Sequence, residues 1–312
     1  MNILILGGAG FIGTNLTLAL SKNEDNNIYS YDKSLSYFDS IKSLELSNVH
    51  FGEINFDEFT NYDDVLQNID VVYHLISTNI PGNSNSCIKD ELNSNISPTL
   101  NLLDSCVRNQ VKKVVFLSSG GAIYGKCDHL PLDENEVANP ISSYGLQKLM
   151  VENILRFYHN VYNLDYKIIR LSNPYGPYQK TNGVQGALTN FIFRAIHNDE
   201  IVVYGDGSVT RDYIFIDDAI QGIINIANDD SDEHLFNLGS GKGLSLNDLI
   251  NAIEETLNLK TNIKYIESRK IDVPINYLNI SRYVNRFGNP NNISISDGIK
   301  ITSDFLLAEK GK

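Results

Sequence analysis

Through the first half of the chain, short apolar runs alternate with stretches whose apolar residues recur at helical spacing. The run Asn2 to Leu6 ends in glycines and predicts a strand; Phe11 to Leu20 predicts a helix; Tyr29 to Asp32 predicts the next strand. Together they make a βαβ unit. Further strands are expected at Asp70 to Ile76, Val114 to Ser118 and Lys167 to Leu171, with helices over Pro98 to Arg108 and Ser143 to Tyr158. Strands alternating with helices in this way predict an α/β fold built on a parallel, doubly wound sheet. After about residue 172 the rhythm changes to loops rich in Pro, Gly, Tyr and Asn, followed by short mixed elements. Residues 1–172 are therefore expected to form the first domain. Residues 173–312 form a smaller lobe, some of whose segments return to the first.

Composition narrows the partners. A formal net charge of -13, with no stripe of Lys and Arg to reverse it locally, excludes a polyanionic backbone, so no nucleic acid is expected. A small anionic substrate stays compatible, because a few Arg side chains and helix N-termini can build a positive pocket inside an acidic protein. The three cysteines, Cys87, Cys106 and Cys127, are odd in number and have no CxxC spacing, so neither a disulfide framework nor a metal site is expected. No export signal or membrane-spanning run is seen, and a reducing cytoplasm is the expected location.

Two constellations carry chemistry. Gly7, Gly8, Gly10 and Gly13 lie between the first strand and the first helix, where a dinucleotide pyrophosphate needs a tight turn, close backbone approach and close helix packing. Asp32, ending the following strand, can accept from both hydroxyls of an adenosine ribose and would repel a 2′-phosphate, which favours NAD over NADP. The second is Tyr144 and Lys148, one helical turn apart and so on one helix face. An ammonium beside a phenol favours the phenolate, making Tyr144 a tunable proton acceptor.

With these motifs in place, the chain resembles the extended short-chain dehydrogenases/reductases, and within them the UDP-glucose 4-epimerase-like enzymes of nucleotide-linked sugars. The resemblance runs along nearly the whole chain: GGAGFIG, Asp32, DVVYHL from Asp70, NISPTLNLL from Asn95, SSGGAIYG from Ser118, YGLQK, SNPYGPYQ from Ser172 and RDYIFIDDA from Arg211. It implies a Rossmann-type NAD-binding domain in which Gly7, Gly10, Phe11, Ile12, Gly13 and Asp32 hold the cofactor, with Glu53 and Ile54 near the adenine. Leu75, Asn95, Ser118, Tyr144 and Lys148 would also touch NAD, while His74 is read as a core histidine. Asn173, Arg211 and Arg269 would bind the nucleotide diphosphate, and Asn276 would lie near the sugar ring. A homodimer is the family habit.

The sequence also departs from that pattern. Gly120 stands where relatives carry the Ser or Thr that bridges substrate and Tyr, so the third catalytic hydroxyl falls to Ser119, with Ser118 or a water as the alternatives. Gly121 and Ala122 replace the Asp-Glu pair of the family's dehydratases, which argues against water loss. A compact Asn276 leaves room for an N-acetylated hexose. The reading is an NAD-dependent nucleotide-sugar 4-epimerase that works through a transient 4-keto sugar, for polysaccharide biosynthesis. The alternatives are a reductase, dehydratase or decarboxylase of such sugars, or a non-catalytic dinucleotide-binding protein.

Overall fold

The computed structural model describes residues 1–78, 85, 87–127, 129–181, 186–268 and 273–309. Seven strands make its central sheet: β1 (Asn2–Leu6), β2 (Asn27–Asp32), β3 (Val49–Glu53), β4 (Val71–His74), β5 (Lys113–Ser119), β6 (Asp165–Leu171) and the strand Leu235–Leu238. Their order across the sheet is Leu235–Leu238, β6, β5, β4, β1, β2, β3. The neighbours β4–β5, β1–β4, β1–β2 and β2–β3 are parallel. This is the doubly wound α/β sheet expected from the pattern. Strand order reverses at β1, so the crevice beyond the carboxyl ends of β1 and β4 is where such a sheet takes a ligand.

Helices α1 (Phe11–Ser21), α2 (Asp39–Lys42), α3 (Asp63–Leu66), α4 (Ile88–Arg108) and α5 (Ser143–Tyr162) accompany these strands. Ile3, Leu4, Ile5 and Leu6 are all buried, because a parallel strand covered on both faces is apolar at every position rather than at alternate ones. They join a core that includes Val72, Leu102, Val114, Leu155 and Ile168. Helix α4 begins at Ile88 and runs through Pro98. A proline reads as a helix start because it lacks an N–H, whereas here it is buried in mid-helix. Helix α5 continues to Tyr162 and ends where Asn163 turns left-handed at φ 58°.

The chain divides into two units: residues 1–123, 142–170 and 226–236, and residues 124–141, 171–225 and 237–312. Segment 226–236 belongs with the first because Lys167 Nζ, fully buried, meets Asp229 at 3.1 Å and donates to the carbonyls of Ser231 and Glu233. Segment 124–141 groups with the second, a difference from a boundary at residue 172. There Tyr124 donates to Asn237 Oδ1 at 2.7 Å, the Asn237 N–H donates to Glu134 at 2.9 Å, and Leu132 exchanges backbone hydrogen bonds with Tyr277 and Asn279. In the second unit, strands Asn173–Tyr175, Thr210–Phe215, Gly243–Ser245 and Ile275–Asn276 share a sheet. Among the described residues no helix is long and apolar enough to cross a membrane.

The β1–α1 turn leaves no room for a side chain at Gly13. Gly7 holds φ +88°, and a Cβ on Gly13 would stand 2.2 Å from the Gly7 carbonyl oxygen and 2.7 Å from Gly8 Cα. Backbone cannot step aside as a flexible side chain can. Gly13→Ala should therefore lose about 1–3 kcal/mol in urea denaturation, the cost of overpacking; an unchanged midpoint would show that the turn relaxes.

Candidate active site

The dinucleotide end is built from backbone. Gly7 and Gly8 donate their N–H groups to Tyr31 O at 2.9 and 3.0 Å, which fastens the glycine turn to the end of β2. No side chain caps α1 at Gly10, so its N-terminal dipole faces the crevice. Asp32 accepts from Ala9 N at 3.0 Å and from Lys33 N at 2.8 Å. Each carboxylate oxygen keeps a lone pair beyond those bonds. A cradle with no room for a Cβ at Gly13, an uncapped helix N-terminus and an acidic residue at the next strand end fit a dinucleotide. Glu53 accepts from Leu35 N at 2.7 Å, Ile54 packs against the apolar core, and Leu75 donates its N–H to Leu6 O at 3.0 Å.

Tyr144 and Lys148 lie on the first two turns of α5. Ser142 caps the helix by accepting from Gly145 N at 3.1 Å, which fixes the turn that carries Tyr144. The Ser119 side chain, at the end of β5, hydrogen-bonds the Tyr144 phenol. Lys148 Nζ donates to Leu117 O at 2.8 Å and lies 5.8 Å from the Tyr144 ring centroid and 4.7 Å from that of Phe116. A cavity of about 10 Å³, room for roughly one water, is lined here by His74, Asn95, Thr99, Tyr144, Gln147 and Lys148.

Two of the expected site residues are spent elsewhere. Ser118 is buried and donates to Glu152 Oε1 at 2.6 Å, so its hydroxyl serves a buried ion pair rather than NAD or substrate. Asn95 donates to Gln147 Oε1 and Thr78 Oγ1, both at 2.6 Å, and accepts from Thr78 N at 3.0 Å, tying α4 to α5. His74 is buried with Nε2 3.1 Å from Thr99 Oγ1. Thr99 donates to Asn95 O at 2.6 Å, so His74 must donate to Thr99. Its Nδ1 then carries a lone pair that meets no hydrogen-bond partner among the described residues. Burial, helped by the Lys148 charge, pulls His74 down to about 3, which keeps it neutral at working pH.

Glu152 and Arg170 have no counterpart in the sequence reading. They form a two-pronged buried pair at 3.0 and 2.8 Å, one turn beyond Lys148 on the same face of α5. The i, i+4, i+8 spacing of Tyr144, Lys148 and Glu152 was the available signal.

Burial pushes the Tyr144 phenol up to about 12, with the Ser119 hydrogen bond acting against it. Burial pulls Lys148 down to about 8, opposed by the Glu152 carboxylate. Of the two groups, Lys148 therefore gives up its proton first, at about 8. Phenolate with ammonium and phenol with amine hold the same number of protons, so the base form accumulates as pH rises through that value. Log kcat/KM should climb with unit slope below about 8 and level off above it. A profile flat between pH 6 and 9 would separate the rate from this pair.

In the second unit, Asn173 and Arg211 line one cavity of about 220 Å³ with Tyr175, Leu188, Tyr213 and Leu246. Asn173 donates to Asp212 O at 2.9 Å, and Arg211 donates to Thr210 O at 2.8 Å. Asn276, buried, pairs in register with Arg211 but does not line that cavity. The fully buried Asp212 accepts from Ser240 N and Oγ, Gly241 N and Leu278 N, and so fixes the strand that carries Arg211. Arg269 lies outside the described residues.

A strand-turn-helix cradle that fits a dinucleotide, in the same unit as Ser119, Tyr144 and Lys148, points to a nucleotide-dependent enzyme class. Residues 3–239 match the model of the NAD dependent epimerase/dehydratase family. The chain belongs to this family, and NAD is its cofactor. It is 31% identical over 305 residues to the dTDP-4-dehydro-6-deoxyglucose reductase of Escherichia coli, covering 95% of each chain. It is 28% identical over 317 residues to the UDP-glucose 4-epimerase of Mycolicibacterium smegmatis, covering 98% of each. The crystal structure of UDP-glucuronic acid 4-epimerase from Bacillus cereus, in complex with UDP-glucuronic acid and NAD, superposes with a TM-score of 0.90 at 27% identity, over 99% of this chain and 100% of that one.

Proposed function

We propose that this protein is a nucleotide-sugar 4-epimerase acting on UDP-glucose and UDP-galactose or their N-acetylated counterparts. The observation that carries the reading is the Ser119–Tyr144–Lys148 arrangement. NAD, when bound, supplies an acceptor and donor of hydride. Tyr144, as phenolate, takes the proton of the sugar 4-hydroxyl and later returns it; Lys148 stabilises that phenolate, and Ser119 orients it. The 4-keto sugar formed between the two transfers regains hydride at C4 while Tyr144 returns the proton to O4, so no net redox change results. Glycines and alanine at Gly120, Gly121 and Ala122 leave the loop after β5 without an acid–base pair for water loss, which favours epimerisation over dehydration.

The backbone of Gly7, Gly10, Phe11, Ile12 and Gly13 would hold the pyrophosphate and Asp32 the adenosine ribose. Asn173 and Arg211 would take the nucleotide diphosphate of the substrate, since a guanidinium fork suits paired phosphates. Free thiols at Cys87, Cys106 and Cys127 suit a reducing cytoplasm. Leu100 on α4 and Leu146, Phe157, Val161 and Tyr162 on α5 are exposed, and this apolar patch supports a homodimer. Light scattering should give twice the chain mass, and Phe157→Glu should give the monomer.

A second reading, reduction of a 4-keto nucleotide sugar, is favoured by the similarity to the Escherichia coli reductase. Incubating the purified protein without added cofactor with UDP-glucose, UDP-galactose and their N-acetyl counterparts separates the two. Chromatography with mass detection should show an isomer of unchanged mass. No isomer from these four sugars, with reduction of an added 4-keto nucleotide sugar only when NADH is supplied, would establish the reductase instead.

A further inference from the structure

The far end of α5 holds a second cluster of donors, unrelated to proton transfer. His159 sits in the last turn of α5, fifteen residues and about 22 Å along the helix axis from Tyr144. Asp165 opens β6, and His234 precedes the strand Leu235–Leu238. One ligand atom from each of the three lies within 4.8 Å of the other two.

Their surroundings fix both rings. Nδ1 of His159 meets Leu164 O at 3.2 Å, and Nδ1 of His234 meets Tyr166 O at 2.9 Å. Each neutral ring therefore carries its proton on Nδ1 and its lone pair on Nε2, the orientation that carbonyl anchors impose on metal-binding imidazoles. The rings are also held by packing: His234 stacks on Tyr166 with centroids 4.5 Å apart, and His159 meets the edge of the same ring at 5.5 Å. Asp165 Oδ1 accepts from Tyr166 N at 2.8 Å and lies 3.7 Å from His234 Nδ1, while its Oδ2 faces Lys113 at 3.6 Å. Lys113 is itself engaged by the carbonyls of Ala227 and Asp229 at 3.1 and 3.0 Å. All three donors are half-buried, so water can reach them.

We propose that His159, Asp165 and His234 bind a divalent transition-metal ion, with water completing the coordination. Two imidazoles and one carboxylate select zinc, cobalt or nickel over magnesium or calcium, which take oxygen ligands. Such an ion would clamp the end of the helix that carries Tyr144 to β6 and to the returning segment 226–236. Because it binds the assembled cluster and not the unfolded chain, it stabilises the fold by mass action.

The full-length protein, stripped with EDTA and exchanged into metal-free buffer, is titrated with Zn²⁺ by calorimetry and with Co²⁺ by visible absorption. One equivalent should bind and raise the melting temperature. His159→Gln and Asp165→Asn should each weaken Zn²⁺ at least about tenfold, as loss of a ligand must cost no less than loss of its supporting shell. Both should melt like the parent chain in EDTA, which separates a lost ligand from a lost fold; if either does not, His234→Gln replaces it. No binding by the parent chain below about 1 mM Zn²⁺, equal affinity in the variants, or a thiolate-to-cobalt absorption band pointing to the cysteines would each overturn the proposal.

Discussion

Tyr144→Phe is expected to lower kcat by about 10²–10⁴-fold, the usual worth of a positioned acid–base group, with KM and melting temperature close to those of the parent chain. In the proposed reaction the phenol oxygen takes and returns the sugar proton, and the neighbouring Lys148 Nζ is committed to Leu117 O at 2.8 Å. The ring stays in place in the variant, so Lys148 keeps its packing against Phe116. Steady-state kinetics with a thermal melt check both halves. A loss under about tenfold would move the proton transfer to another group.

Arg170→Met is expected to destabilise the chain by about 3–5 kcal/mol, because it strands a buried carboxylate. In the parent chain Glu152 is fully buried and receives two bonds from Arg170 and one from Ser118. The variant leaves it the Ser118 hydroxyl as its one hydrogen bond among the described residues, with only the charge of Lys148 one turn away. A domain's whole stability is about 5–15 kcal/mol, so the variant should unfold at much lower urea. Replacing both partners, Glu152→Leu with Arg170→Met, should recover most of the loss, since an apolar pair of similar volume needs no charge compensation. If the double variant is no more stable than Arg170→Met, the pair's role is packing rather than charge.

The parallel sheet was legible because buried strands such as Ile3 to Leu6 are apolar at every position, and the glycines that follow have one structural use. Tyr144 and Lys148 were legible because a helix turns spacing into proximity. What the sequence left unread depends on contacts between distant segments. Strand β3 contains Gly52 at the sheet edge, and Leu235–Leu238 sits in a stretch whose rhythm differs from that of the first half, so neither showed the alternation of its neighbours. Ser118 reads like its neighbour Ser119, yet the alternation of a strand turns one to Glu152 and the other to Tyr144. Arg211 and Asp212 are neighbours on a strand and so face opposite ways: Arg211 lines the cavity, while Asp212 turns to Ser240, Gly241 and Leu278.

The central claim is that a hydrogen leaves C4 of the sugar and returns to the opposite face of the same carbon. Purified protein is incubated, without added cofactor, with UDP-galactose carrying deuterium at C4, and the UDP-glucose formed is analysed by mass and by NMR. Deuterium retained at C4 of the product is the expected result. Deuterium lost to solvent, or no 4-epimer formed from either this substrate or its N-acetylated counterpart, would contradict it.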